Sequence, residues 1–227
     1  MINKLENDLY IKTMHETVPF LPEHIFSLDI CNLDRNTENF DLDFYFYYLL
    51  NHAEDMFVCI DSSTNYANNN IKNNAHGIHT AEIIGYMIGK TCPDTTEYKM
   101  VKNKINKTHV SALSITPSHR SRSLGTILMN LLEENGNNLE TYFSDLFVKV
   151  TNKKAIDFYK NRGYFIYRRI YGYYKISSKK MPEGLKNLFS NNEEEDAFDM
   201  RRGLRKDVDG FFSSFIGKNV KQSEMDN

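Results

Sequence analysis

His109-Val110-Ser111-Ala112-Leu113-Ser114-Ile115 runs on to Pro117, and a polar, basic turn, Ser118-His119-Arg120-Ser121-Arg122-Ser123, then delivers the chain to Leu124, Gly125 and Thr126. The first part reads as a strand ended by proline. Leu124, Ile127, Leu128, Leu131 and Leu132 recur at the spacing of a helix with one apolar face. A strand, a basic turn and a helix therefore follow one another directly. Downstream, Ser144 to Val150 reads as a compact central strand and Asn152 to Asn161 as a short helix with Gly163 as its C-cap. Phe165 to Tyr171 and Tyr173 to Ile176 read as two strands joined at Gly172. Upstream, Met56 to Ile60 and Glu82 to Lys90 read as strands. Helix is expected from Glu23 and again over Phe44 to Leu50, where Thr37-Glu38-Asn39 offers capping chemistry. The succession predicts an α/β domain built on a mixed sheet.

Composition sets bounds on this reading. The chain has 227 residues, 41% hydrophobic, 26% charged and 13% aromatic, with no Trp. That length suits one domain with tails, and the apolar content excludes disorder throughout. The longest apolar runs fall far short of the ~20 residues that span a bilayer, and the first residues lack the apolar core of a signal peptide. Cys31, Cys59 and Cys92 form no CxxC pair, so a reducing compartment is expected, without disulfides or a zinc site. Residues 1–22, with Pro19 and Pro22, read as an irregular lead-in. Residues 23–180 read as the domain, interrupted near 61–80 by an Asn-rich insertion, and 181–227 as a polar C-terminal extension.

The net charge of −2 hides an asymmetry: eleven Asp/Glu against three Lys/Arg up to residue 60, and ten Lys/Arg against Asp157 alone between Lys149 and Lys180. Such a run is ordinarily a solvated face. It is also a field that attracts anions, nucleotide phosphates or a nucleic acid.

Two patterns carry chemistry. The turn Arg120–Gly125 opens a helix, whose unpaired N–H groups and dipole favour phosphate. Small residues at 123 and 125 let a pyrophosphate approach the backbone, and Arg120 and Arg122 add charge. An ordinary Ser-capped helix start fits the turn as well. Farther on, Asn152, Ala155 and Tyr159 share one helical face. They offer an amide, a gap and a phenol, or equally an N-cap and a core aromatic.

The turn resembles the Arg-x-x-Gly-x-Gly/Ala pyrophosphate loop of the GCN5-related N-acetyltransferases (GNAT), with Ser123 where the family usually has its first Gly. Asn152-x-x-Ala155-x-x-x-Tyr159-x-x-x-Gly163-Tyr164 is similar to that family's second signature at every position. The resemblance implies a GNAT fold, a mixed, mostly antiparallel central sheet flanked by helices, with acetyl-CoA as donor and no metal. It further implies that Ser114, Ile115, Arg120 to Thr126, Asn152 and Tyr159 contact the coenzyme.

Outside that core, Asn32-Leu33-Asp34, Thr37-Glu38-Asn39-Phe40, Phe44-Tyr45, the runs His109–Ser114 and Asp145–Lys149, Tyr167-Arg168-Arg169, Gly172-Tyr173-Tyr174 and Asp196–Arg201 resemble the catalytic subunits of N-terminal acetyltransferase complex B (NatB). This likeness implies acetylation of nascent chains that start Met-Asp, Met-Glu, Met-Asn or Met-Gln. It also implies a large helical-repeat auxiliary subunit, ribosome association and a cytoplasmic location.

An α-amino group has a pKa of ~7.7–8.0, so direct attack in a ternary complex needs only modest base assistance. Tyr159 is the candidate acid for the departing thiolate. A backbone N–H of Leu113, Ser114 or Ile115 would polarise the acetyl carbonyl. His109 is placed to contact the substrate or act through a water, or is a satisfied strand-end histidine. Tyr173 and Tyr174 line the peptide groove, with one hydroxyl, that of Tyr173 first, a candidate proton acceptor or peptide anchor, or they form a cross-strand pair. The resemblance implies that Glu38 and Phe40 lie on the peptide-entry side, Phe40 to pack Met and Glu38 to contact the N-terminal amine or backbone, with Phe40 standing where the family commonly has Tyr. His15, His24, His52, His76, His79 and His119 read as surface or loop residues. Phe44–Leu50 and Phe211–Ile216 are apolar enough to dock on a partner, with burial in the chain's own core the commoner fate of the first. Acetylation of a lysine or small amine, nucleic-acid binding through 149–180 and an inactive scaffold are the competing functions.

Overall fold

The computed structural model describes residues 15–33, 38–61, 82–94, 105–174, 196–214 and 217–221. The strands are β1 (His15–Pro19), β2 (Met56–Asp61), β3 (Glu82–Pro93), β4 (Asn106–Ile115), β5 (Phe143–Lys149), β6 (Phe165–Tyr171), β7 (Ala197–Gly203) and β8 (Val220–Lys221). The helices are α1 (Asp29–Asn32), α2 (Leu42–Asn51), α3 (Leu124–Asn138), α4 (Lys153–Asn161) and α5 (Phe211–Ser214). Strand order is β1-β2-β3-β4-β5-β7-β6-β8, with β1–β2, β2–β3, β5–β7 and β6–β7 antiparallel and β6–β8 parallel. Tyr142 N donates to Asn106 O and His109 faces Asp145, so β4 and β5 advance in the same direction. The sheet is mixed, as expected. The Asn-rich stretch 62–81 lies outside the described residues.

The described residues of 1–91 and 110–135 form one compact unit, and those of 92–109 and 136–227 form another. In the first unit α2 exists because Asp41 caps it, its Oδ1 accepting from Phe44 N at 3.0 Å. The cap is therefore Asp41 and not the expected Thr37–Asn39 group. Helical spacing turns Tyr45 and Tyr48 inward against Leu28, Met56, Val58 and Tyr86. Each such side chain contributes roughly 1.5–3 kcal/mol by leaving water. The lead-in is not irregular throughout, because His15–Pro19 pairs along the whole of β2 up to Pro19–Phe57. Helix from Glu23 takes the form of a 3-10 turn, Pro22–Ser27, and then α1. Gly85 lets β3 approach the end of β4: a Cβ there would lie 2.4 Å from Ile115 Cδ1 and 3.0 Å from Ser114 O.

In the second unit the expected extension supplies an inner strand. Ala197–Gly203, placed by its sequence beyond the domain, forms β7 between β5 and β6. Its charges are buried but matched. Arg201, 1% exposed, donates through Nε and Nη2 to Asp199, and its guanidinium lies 3.5 Å from the Tyr167 ring centroid. Arg168 Nε donates to Asp199 at 2.9 Å and Arg169 Nε to Asp196 at 2.8 Å. β7 lies beside β6, and Tyr173, expected to open the second strand of a hairpin, stands in a turn instead. Residues 172–174 are a turn, and 175–176 lie outside the described residues. The tail aromatics fold inward too: Phe212, 4% exposed, stacks on Phe143 at 5.2 Å. Phe212 is therefore packed in the chain's own core, while Phe215 and Ile216 of the expected docking segment lie outside the described residues.

Candidate active site

In the first unit, β4 ends where Thr116 N donates to Ile84 O, and Pro117–His119 makes one 3-10 turn. Arg120 then folds back, its Nε donating to Ile115 O at 2.9 Å, so this arginine ties the turn to the strand as well as charging it. Ser121 and Ser123 have φ of 60° and 61°. Left-handed residues alternating with ordinary ones aim successive N–H groups into one concavity, the geometry of an anion-binding nest. Ser123 O accepts from Ile127 N, which leaves the amides of Leu124, Gly125 and Thr126 without intrahelical acceptors. Leu124, 2% exposed, and Leu128, Met129 and Leu132 anchor α3. Small side chains, open amides and the exposed Arg122 fit a diphosphate. The usual Gly at position 123 also gains a reason, since that residue must adopt positive φ.

Other residues expected at the site have structural duties. Ser114 is buried and donates to Cys31 O. Leu113 and Ile115 are half-buried on β4. Phe40 stacks on Phe44 at 3.9 Å and 11° within the apolar cluster, and Glu38 is half-buried just before it. Asn32 accepts from Tyr86 OH and donates to Tyr45 OH. Burial pushes the Cys31 thiol up to about 12, which removes it as a nucleophile. His15, His24, His52 and His119, expected at the surface or in loops, are half-buried, and two of them share a carboxylate: His15 Nδ1 lies 3.9 Å and His119 Nε2 3.5 Å from Asp61.

In the second unit, Asn152 and Gly163 mark the two ends of α4. Asn152 Oδ1 accepts from Ala155 N at 3.2 Å as an N-cap. Gly163, at φ 87°, donates to Lys160 O while Tyr164 N donates to Tyr159 O. Those two bonds make a Schellman closure. The signature spacing is thus in part a helix of fixed length, and Asn152 retains only its NH2 for a ligand. Tyr159, 8% exposed, meets Tyr164 at 5.7 Å, and burial raises its pKa. Its phenol stays protonated and is a hydrogen-bond donor.

The substrate candidates converge on a residue that sequence reasoning did not assign. Phe147 lies 5.2 Å from the His109 ring and 4.9 Å from that of Tyr173. Tyr173 in turn meets Tyr174 at 4.9 Å, and Lys149 Nζ sits 4.8 Å over Tyr174. Behind His109 is Asp145, 0% exposed, its Oδ1 2.7 Å from His109 Nδ1 and its Oδ2 2.6 Å from Lys107 Nζ. Burial opposes ionisation of Asp145, but the charges of Lys107 and His109 outweigh it and hold the carboxyl below its ordinary range. The available signal was a lone acid in the otherwise apolar Ser144–Val148, which needs a partner once buried. The basic run 149–180 is also partly spent internally, on Asp196, Asp199 and Tyr174, which weakens the nucleic-acid reading.

The acetyltransferase (GNAT) family profile matches residues 32–164, and the chain belongs to the GNAT acetyltransferases. It is 37% identical over 83% of its length, and 87% of the relative's, to the N-terminal acetyltransferase B complex catalytic subunit of Saccharomyces cerevisiae. To that of Schizosaccharomyces pombe it is 33% identical over 94% of this chain and 98% of the relative. Among solved structures, Chaetomium thermophilum Naa20 in complex with a bisubstrate analogue superposes with a TM-score of 0.69 at 29% identity, covering 92% of this chain and 97% of that one. Within the superfamily the protein is therefore a member of the NatB catalytic subunits, an N-terminal acetyltransferase. No helix among the described residues is long and apolar enough to cross a membrane.

Proposed function

We propose that this chain acetylates the α-amino group of nascent polypeptides starting Met-Asp, Met-Glu, Met-Asn or Met-Gln, by direct attack in a ternary complex. It works in the cytoplasm, with a large helical-repeat auxiliary subunit through which it reaches the ribosome. Similarity to NatB catalytic subunits over most of both chains carries this reading.

Acetyl-CoA supplies an activated acetyl group as a thioester. The amides of Ser121 to Thr126, with Arg120 and Arg122, hold its diphosphate, and the NH2 of Asn152 faces its pantetheine arm. An N–H of the Leu113–Ile115 segment polarises the acetyl carbonyl. As the C–N bond forms and the C–S bond breaks, His109 takes the proton of the attacking amine. The Tyr159 phenol donates a hydrogen bond to the departing sulfur; full transfer of its proton to a thiolate of pKa near ~8.5 runs uphill. Phe147, Tyr173 and Tyr174 wall the peptide channel, while Phe40 packs the initiator Met and Glu38 contacts the peptide backbone.

Turnover across peptides starting Met-Asp, Met-Glu, Ser, Ala and Met-Leu, with and without a co-purified partner, tests this. Preference for the two acidic peptides is expected, and equal rates on internal lysines overturn it. Tyr159→Phe lowers kcat with little change in peptide KM, whereas Arg120→Ala raises the acetyl-CoA KM. An unchanged value in either case removes that residue from its role.

A further inference from the structure

We infer that Asp145 is a positioning residue that fixes the tautomer of His109, with Lys107 holding the carboxylate in place. The inference rests on the reading of His109 as proton acceptor and adds the group that makes it one.

Asp145 lies on β5 with no exposed surface; its Oδ1 is 2.7 Å from His109 Nδ1 and its Oδ2 2.6 Å from Lys107 Nζ, with Arg201 opposite it in the β7 register. Lys107 is also 3.7 Å from Asp94, so two carboxylates face its ammonium. Paired with a lysine, Asp145 is an acceptor at both oxygens. An acceptor 2.7 Å from a ring nitrogen requires a proton on that nitrogen. In the neutral ring the lone pair is then left on Nε2, the edge not held by Asp145. The other tautomer would set a nitrogen lone pair against a carboxylate oxygen in a buried site. Phe147 packs beside the ring, so orientation and protonation are set by two neighbours from one strand. Spacing of two along β5 places both on the same face.

Asp145→Asn nearly preserves shape but not this pattern. The new amide has one oxygen and one NH2, and Lys107, a donor only, pairs with the oxygen, so the NH2 donates toward His109 Nδ1. The lone pair moves to that nitrogen and the proton to Nε2.

Ring nitrogen shifts in the full chain, measured at a pH where the ring is neutral and assigned by their loss in His109→Gln, give the first test. A proton on Nδ1 is expected, and a proton on Nε2 in the unmutated protein overturns the inference with no variant needing to fold. Asp145→Asn is expected to invert the tautomer. Since proton transfer contributes about 10²–10⁴-fold, it should lower kcat roughly ten- to hundredfold, with peptide KM within about twofold. Added to His109→Ala, it should cost nothing further. A costly His109→Ala beside a harmless Asp145→Asn overturns the role of Asp145 alone. An unchanged kcat in His109→Ala overturns the reading of His109 and the role built on it.

Discussion

Asp55 in the first unit and Asp145 in the second are both 0% exposed, yet their carboxyls move in opposite directions. Asp55 meets the amide of Asn135 at 3.3 Å, and burial raises its pKa against that bond. Asp145 has a lysine and a histidine, which lower it. Burial alone therefore does not decide the state of an acid: at Asp145 the neighbouring cations outweigh it, while at Asp199 burial outweighs Arg201 and Arg168 and the pKa rises. The units differ the same way more broadly. The first packs Leu28, Met56, Val58 and Tyr86 in an apolar cluster, while the second threads Lys107, Asp145, Asp199 and Arg201 through its strands.

The largest expected effect comes from breaking a matched charge in the second unit. Arg201→Met leaves Asp199 with Arg168 alone and should cost about 3–5 kcal/mol in denaturant unfolding. A loss under 1 kcal/mol would mean that these charges are not what holds β7. Acid should act next on the same unit. Asp145 has a folded pKa below its unfolded value, so its contribution is complete above ~3.9 and is lost as the pH falls below that. Stability in acid should therefore decline less steeply in Asp145→Asn than in the unmodified chain.

Asp55 should behave in reverse. Its folded pKa is raised, so its contribution is present below the unfolded pKa and lost as pH rises through the folded one. Asp55→Asn should raise Tm at pH 7 by a few degrees, as for a change of about 1 kcal/mol. A drop would show that the carboxylate has a partner in the ionised state. Smallest is Ser123→Gly, which relieves a left-handed serine and should stabilise by under about 1 kcal/mol, read as a small rise in Tm with the acetyl-CoA KM retained.

Most of the architecture was legible. The strands and helices from Met56 to Tyr171 fall close to where apolar periodicity and punctuation put them, because each pattern is local. β7 was illegible for a physical reason: Asp199, Arg201 and Arg202 look like solvent-exposed chain until Arg168, Tyr167 and Asp199 are brought around Arg201. Tyr173 reads as strand from its aromatic neighbours, yet it stands in a turn, and the strand beside β6 arrives more than twenty residues later. Phe147 and Asp145 lie in a run that marks the family but acquire no role from sequence, because strand residues disclose their function only through what lies on the adjacent strand.

The chain's own residue order was enough to establish the helix ends at Asn152 and Gly163, the basic turn before Leu124 and the family that both signatures mark. Each depends on neighbours a few positions away, and backbone geometry is settled at that range. Tertiary structure alone decided that a charged segment beyond residue 195 is an inner strand, and that the ring of His109 is gripped by a buried acid with a lysine on its other oxygen. Those facts depend on which charges meet in a medium that screens poorly, and only the folded chain brings them together.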